Sequence, residues 1–146
     1  MKNNYLKYTF ISNGIFVFAS SLLFPIFAIY ISKFTPDLAM ISLVASAFMV
    51  STGFFLVLLT KVGHRIKNHS KYFVIGFLIR TITWFSFIFV TDIWHIIFLQ
   101  IFLGLGEAVG STIFEVIVAE HLNDGTMIED YAVWKLIQSL SGAAAA

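Results

Sequence analysis

The sequence predicts an all-α membrane protein that contains four complete transmembrane helices and the start of a fifth. Of its 146 residues, 59% are hydrophobic and only 12% are charged, about half the charged share of an ordinary soluble domain. The mean hydropathy is +0.90. The apolar residues form long stretches that do not alternate with polar residues, which excludes transmembrane strands. These observations also exclude a soluble enzyme, a disordered tail and a protein that binds nucleic acid.

The charged residues mark the ends of the four predicted helices. Two stretches, residues 8–32 and 38–60, contain no charge and are long enough to cross a bilayer at about 1.5 Å per residue. The apolar stretches at residues 72–91 and 93–119 have similar lengths but contain charged residues. The first stretch is too long for the core of a cleaved signal peptide, so we expect it to remain as a helix.

A fifth helix is predicted to begin near residue 127. Asn123-Asp124-Gly125 is a turn sequence, and Thr126 with Glu129 forms a capping box. The uncharged run that follows is too short to cross a membrane. We therefore expect residues 127–146 to be the start of a membrane helix, and the chain to be part of a longer protein.

The basic residues predict the orientation of the chain in the membrane. The N-terminal tail and the loop at residues 61–71 contain six Lys or Arg residues, whereas the two loops on the opposite side contain one, Lys33. The positive-inside rule then places the N-terminus in the cytoplasm. The predicted location is the cell membrane, crossed several times.

Charged residues inside the predicted helices are the first candidates for function. A charge at bilayer depth costs roughly 2.5–3.5 kcal/mol on insertion scales, so it usually has a partner or a role. Arg80 and Glu107 lie near the middle of helices 3 and 4, which are antiparallel neighbours, and we expect them to form an intramembrane ion pair. Two interpretations remain open. The pair is purely structural, or Glu107 faces a water-filled cavity and binds a proton or a cationic group.

Uncharged polar residues extend this candidate site. Gln100, Glu107 and Ser111 fall on one face of helix 4, and Asn13 and Ser20, seven residues apart, share a face of helix 1. We expect these faces to line a pathway for the substrate or for protons. The small residues beside them equally fit the ordinary close packing of membrane helices.

Small residues also predict where the helices approach one another closely. Gly106-x-x-x-Gly110 on helix 4 is a spacing that allows such an approach. One face of helix 2 is interpreted as a packing surface and not as a site. It contains Ser42, Ser46, Met49 and Gly53.

Sites for cofactors or for enzymatic chemistry are not predicted. The chain contains no Cys, and its four His residues are scattered, so we expect neither disulfides nor a metal site, and no cofactor. There is no Gly-x-Ser-x-Gly motif and no cluster of His and Asp, so we expect no enzymatic activity.

The loop between helices 2 and 3 reads Thr-Lys-Val-Gly-His-Arg-Ile-Lys-Asn-His at residues 60–69. This sequence resembles the corresponding loop of the major facilitator superfamily of secondary transporters. The family pattern Gly-x-Leu-x-Asp-Arg-x-Gly-Arg-Arg/Lys aligns with residues 60–69, in which Arg65 matches. His64 stands in place of the acid, and Lys67 stands in place of the second Gly. The resemblance implies that this loop is a cytoplasmic gate, which must use contacts other than those of the family's acid.

Helix 4 resembles the same family. The pattern Leu-x-x-x-Arg-x-x-Gln-Gly-x-Gly aligns with residues 96–106; both glycines match, and Gln100 replaces the arginine. The resemblance implies the first part of a six-helix half, with helices 1 and 4 lining the central cavity.

The function that the resemblance implies is secondary active transport of a small solute across the cytoplasmic membrane by alternating access, with protons as a candidate coupling ion. The partners would be the lipid bilayer, the solute and the remaining helices of the transporter. An alternative is a small four-helix membrane protein that acts as an oligomer or as a scaffold without transport.

Overall fold

The computed structural model describes residues 4–121 and 127–144, and all regular structure in these ranges is helical. The helices are α1 (Asn4–Ser32), α2 (Leu38–Val62), α3 (His69–Ser86), α4 (Ile93–His121) and α5 (Met127–Ala144). Within these ranges, α1 to α4 are long and apolar enough to cross a membrane. The predicted all-α membrane fold is therefore confirmed. The turn and the N-cap predicted at residues 123–126 lie outside the described residues.

Two helices begin before the apolar stretches that predicted them. α1 begins at Asn4 and α3 begins at His69, in each case ahead of the first residue of the stretch. Charged and polar side chains at a helix end can reach the bilayer interface while the backbone hydrogen bonds continue. The apolar stretches therefore mark the part of each helix inside the bilayer. Pro25 does not end α1, which continues to Ser32 because membrane helices tolerate an internal proline.

α3 ends sooner than its apolar stretch. It ends at Ser86, and a 3₁₀ turn, Phe87–Phe89, follows. The next helix starts after Asp92, whose Oδ1 accepts a hydrogen bond from the backbone N–H of Trp94 at 3.2 Å. The chain must leave the helix here because it reverses direction before α4. The turn is as apolar as the helix itself, so the sequence does not show at which residue α3 ends.

Short polar residues also fix the starts of α2 and α3. Asp37 Oδ1 accepts a hydrogen bond from the N–H of Ala39 at 2.9 Å. Asn68 Oδ1 accepts one from the N–H of Lys71 at 3.2 Å. Such caps satisfy backbone donors that have no partner inside the helix and contribute about 1 kcal/mol each.

The chain divides into two compact units. The larger unit, Ile31–Ile117, is built on close contact between α3 and α4. A Cβ added to Gly76 would lie 2.8 Å from Gly110 Cα, so the two backbones touch. One turn along, the rings of Phe73 and Phe114 stack with their centroids 6.1 Å apart. Residue numbers rise on α3 as they fall on α4, so the two helices are antiparallel.

α2 and α4 make a close contact at a small polar residue of α2. Ser51 is buried, and its hydroxyl donates a hydrogen bond to the carbonyl oxygen of Ile101 at 2.8 Å. A Cβ at Gly104 would lie 2.6 Å from Ser51 Oγ, so only glycine allows this approach. The α2 face expected to pack is exposed instead, including Met49 and Gly53. Small residues produce a smooth face, but their spacing does not show which neighbouring helix covers it.

The α3–α4 contact gives a first prediction. Gly76→Ala should destabilise the protein by about 1–3 kcal/mol, because its methyl group would meet backbone atoms of Gly110 that cannot rotate away. The matched control is Gly53→Ala on α2, where an added Cβ meets no neighbouring helix within 4 Å among the described residues. Thermal unfolding of the full-length protein in detergent should show a lower midpoint for Gly76→Ala only. Equal midpoints would contradict the contact.

The smaller unit contains α1 as far as Tyr30, the end of α4 from Val118, and α5. The ring of Phe10 packs against Trp134 with centroids 5.4 Å apart. A Cβ at Gly14 would lie 2.7 Å from Ile137 Cγ2. From the first contact to the second, residue numbers rise on both helices, so α1 and α5 are parallel.

Candidate functional site

The candidate site is an ion pair between the middle of α3 and the middle of α4. Arg80 Nη2 lies 3.2 Å from Glu107 Oε2 and donates a hydrogen bond of 3.1 Å to the backbone oxygen of the same glutamate. One guanidinium nitrogen therefore contacts both the side chain and the main chain of Glu107. The Arg80 side chain is 4% exposed, whereas that of Glu107 is 36% exposed.

Two glycines of α4 make room for the arginine. A Cβ at Gly110 would lie 2.5 Å from Arg80 Nη2, and a Cβ at Gly106 would lie 2.8 Å from Arg80 Cγ. On α3 itself, Arg80 Cζ lies 5.6 Å from the centre of the Phe77 ring, within the range of a cation–π interaction. Arg80 thus lies in a groove on α4, bounded by glycine backbone and by one aromatic ring. We call this the arginine groove.

The backbone oxygen of Glu107 accepts two hydrogen bonds from side chains. One comes from Arg80 Nη2, and the other comes from the hydroxyl of Ser111 at 2.7 Å. The second is a bond that serine commonly makes one helical turn back. Among residues 4–121 and 127–144, the Glu107 carboxylate has one polar contact, with Arg80 Nη2 at 3.2 Å. The Arg80 guanidinium contacts this carboxylate, the backbone oxygen of Glu107 and the ring of Phe77. The hydrogen bond from Arg80 to the backbone oxygen of Glu107 therefore does not depend on the Glu107 side chain.

The residues of the polar face predicted on α4 differ in how exposed they are. Gln100 is buried at 5% exposure, whereas Glu107 and Ser111 are partly exposed. Asn13 and Ser20 lie on α1 in the smaller unit, and both are partly exposed. The structure therefore brings Arg80, Glu107 and Ser111 together.

The predicted gate loop connects α2 to α3. His64 and Arg65 belong to a 3₁₀ turn, Gly63–Arg65, and Lys67 follows it before the cap of α3. All three side chains are exposed. The loop is tight, since six residues separate the two helices.

Two features of the site were not predicted from the sequence. Gly106 and Gly110 were expected to let helices approach, and they do contact Gly76, but they also bound the arginine groove. Phe77 was not singled out, although it lies one turn before Arg80 and so on the same side of α3. Glycines on both sides of an embedded acid were the available signal for a groove that accepts a long cationic side chain.

Comparison with known families gives one match. The family model described as Major Facilitator Superfamily matches residues 9–146, which include nearly all of α1 and the other four helices. Comparisons with curated proteins and with solved structures found no significant match.

Proposed function

The chain belongs to the Major Facilitator Superfamily, a family of membrane transporters, and on this premise we propose that it acts in secondary active transport of a small solute by alternating access. It is a membrane protein that crosses the bilayer several times. We further propose that transport is coupled to protons and that Glu107 is the group that binds them. In this proposal Gln100, Ser111, Asn13 and Ser20 belong to the pathway.

The observation that carries the proton-coupling proposal is the unequal exposure of the Arg80–Glu107 pair. The Arg80 side chain is 4% exposed and the Glu107 side chain is 36% exposed, although both residues lie near the midpoints of their helices. If the pair only stabilised helix packing, we would expect both side chains to be buried. In this proposal the carboxylate, whose side chain the described helices leave partly uncovered, faces a water-filled cavity and loses and regains a proton as the transporter changes state.

The groove around Arg80 supports the same proposal. When Glu107 is protonated, Arg80 loses its counter-charge but keeps the backbone oxygen of Glu107 and the ring of Phe77. The arginine therefore stays in position through a cycle of protonation. A buried cation with no such contacts would be strongly destabilising.

The experiment that tests the function is solute uptake by the full-length protein in proteoliposomes. A pH gradient is imposed, uptake of labelled solutes from a chemically varied panel is followed, and a trapped pH-sensitive dye reports proton movement. We expect one class of solute to accumulate above equilibrium, with proton movement that needs the solute, and a protonophore to remove the accumulation. Solute that only equilibrates, with no proton movement, would refute proton coupling.

We also propose that the N-terminus and the loop between α2 and α3 face the cytoplasm, which puts His64, Arg65 and Lys67 at a cytoplasmic gate. This rests on the six-to-one excess of basic residues. His64 and Thr91 lie in the loops on opposite sides of α3, and both are exposed. Because residues 1–146 contain no Cys, a cysteine placed at either position is a single labelling site within this part of the protein.

The expected labelling pattern is asymmetric. In intact cells a membrane-impermeant thiol reagent should label Thr91→Cys and should label His64→Cys only after permeabilisation. Neither residue caps a helix in the described part of the chain, and the hydrogen bond between Thr91 Oγ1 and His95 Nδ1 is exposed to solvent. Both variants should therefore fold. Labelling of His64→Cys but not of Thr91→Cys in intact cells would reverse the proposed orientation.

A further inference from the structure

Four exposed cations lie where α2 ends and α3 begins. We call them the basic cluster, and its members are Lys61, Arg65, Lys67 and Lys71. Lys61 is in the last turn of α2, and Lys71 is in the first turn of α3. The tight loop between these helices therefore concentrates four positive charges at one end of the α2–α3 pair.

These charges are not neutralised by the protein itself in the part of the chain that the structure describes. The sequence contains no Asp or Glu between Asp37 and Asp92. Among residues 4–121 and 127–144, no side chain of the basic cluster forms an ion pair or a hydrogen bond. Four uncompensated cations in so short a segment attract an anion from outside the chain.

An apolar surface continues from the basic cluster along α3. Lys71, Val74 and Ile75 share one face with Leu78, and all four are exposed. The opposite face of α3, which contains Gly76 and Arg80, is buried.

A shallow, open groove lies at the N-terminal end of this exposed face of α3. It is lined by Ser70, Lys71, Val74 and Ile75. The cationic end of this face therefore leads directly onto a surface that suits an acyl chain.

We propose that the basic cluster and this groove form a binding site for one anionic phospholipid. The lipid phosphate contacts Lys67 and Lys71, and one acyl chain lies along Val74 and Ile75 toward Leu78. Charge complementarity favours an anionic headgroup, since basic residues next to a membrane helix attract anionic lipids. The apolar groove favours a lipid over a soluble anion, which would leave that surface unused.

The test measures the affinity of single lipids for the delipidated full-length protein in detergent. Native mass spectrometry, with titration of phosphatidylglycerol or phosphatidylcholine, gives the apparent Kd of the first bound lipid. We expect phosphatidylglycerol to bind more tightly. The double change Lys67→Gln with Lys71→Gln should weaken it by about five-fold per cation removed. Equal binding of the two lipids, or no effect of the double change, would overturn the proposal.

Further variants distinguish the contribution of the charges to lipid binding from that of the apolar groove and from the effect of misfolding. Lys33→Gln removes an exposed cation at the other end of α2 and should leave lipid binding unchanged. The double change Lys67→Arg with Lys71→Arg retains both charges and should retain lipid binding. If weaker binding came from misfolding caused by changes at these positions, this variant would lose binding too. Val74→Trp fills the groove and should weaken phosphatidylglycerol binding. Displacement of the lipid by equimolar glycerol 3-phosphate would show that the headgroup alone binds, and would overturn the site.

Discussion

Replacing Glu107 by glutamine is expected to leave insertion into the membrane intact and to abolish uphill accumulation of solute. Glutamine has nearly the same shape, and its amide oxygen can still accept a hydrogen bond from Arg80 Nη2, which lies 3.2 Å from the carboxylate in the native protein. It cannot bind and release a proton. If Glu107 carries the coupling proton, the variant should only equilibrate solute across the membrane, whatever pH gradient is imposed.

The matched control for this variant is Glu115→Gln on the same helix. Glu115 is exposed and lies two turns from Glu107, so the same chemical change is made outside the arginine groove. Proteoliposomes containing Glu115→Gln should accumulate solute as the unmodified protein does. Gradient-driven accumulation by Glu107→Gln at the native level would reduce the pair to a structural role.

Removing the cation is expected to have the largest effect on folding. Arg80→Ala leaves the Glu107 carboxylate without its counter-charge and empties the arginine groove between Gly106 and Gly110. Breaking a fully buried pair costs about 3–5 kcal/mol. Because Glu107 is 36% exposed, we expect the loss to fall below that range. The amount of folded, monodisperse protein extracted from membranes should fall markedly.

A double-mutant cycle shows whether this loss comes from the pair. Arg80→Ala combined with Glu107→Ala should recover part of the folded protein, since no unpaired charge is then left in the bilayer. Emptying the groove still has its own cost, so recovery should be incomplete. Losses that simply add in the double variant would mean that Arg80 and Glu107 do not stabilise each other.

The positions of the membrane helices were predictable because charged residues are so unfavourable in lipid. Four long stretches with few charges predicted the four helices, α1 to α4, that are long and apolar enough to cross a membrane. The same argument predicted that Arg80 and Glu107 lie at one depth, because each is near the middle of its stretch and the helices are neighbours. The structure places these two side chains in contact.

The faces of the helices were less predictable. Small residues on α2 indicated a packing face through Gly53, whereas the structure packs α2 through Ser51. Gln100 was grouped with Glu107 by helical spacing, yet one side chain is buried and the other is partly exposed. Helical spacing shows which residues share a direction, but which helix or solvent lies in that direction depends on the packing of the whole bundle.

The separation of Arg80 and Glu107 along the chain has a consequence for biosynthesis. The two residues are 27 positions apart, and ribosomes add about 5–20 residues per second. The arginine therefore emerges from the ribosome about one to five seconds before its counter-charge does. A nascent α3 that entered lipid alone would carry an unpaired cation, at a cost of roughly 2.5–3.5 kcal/mol. Assembly is thus easiest when α3 stays at the translocon until α4 emerges, so that the two helices enter the bilayer as a hairpin already neutralised.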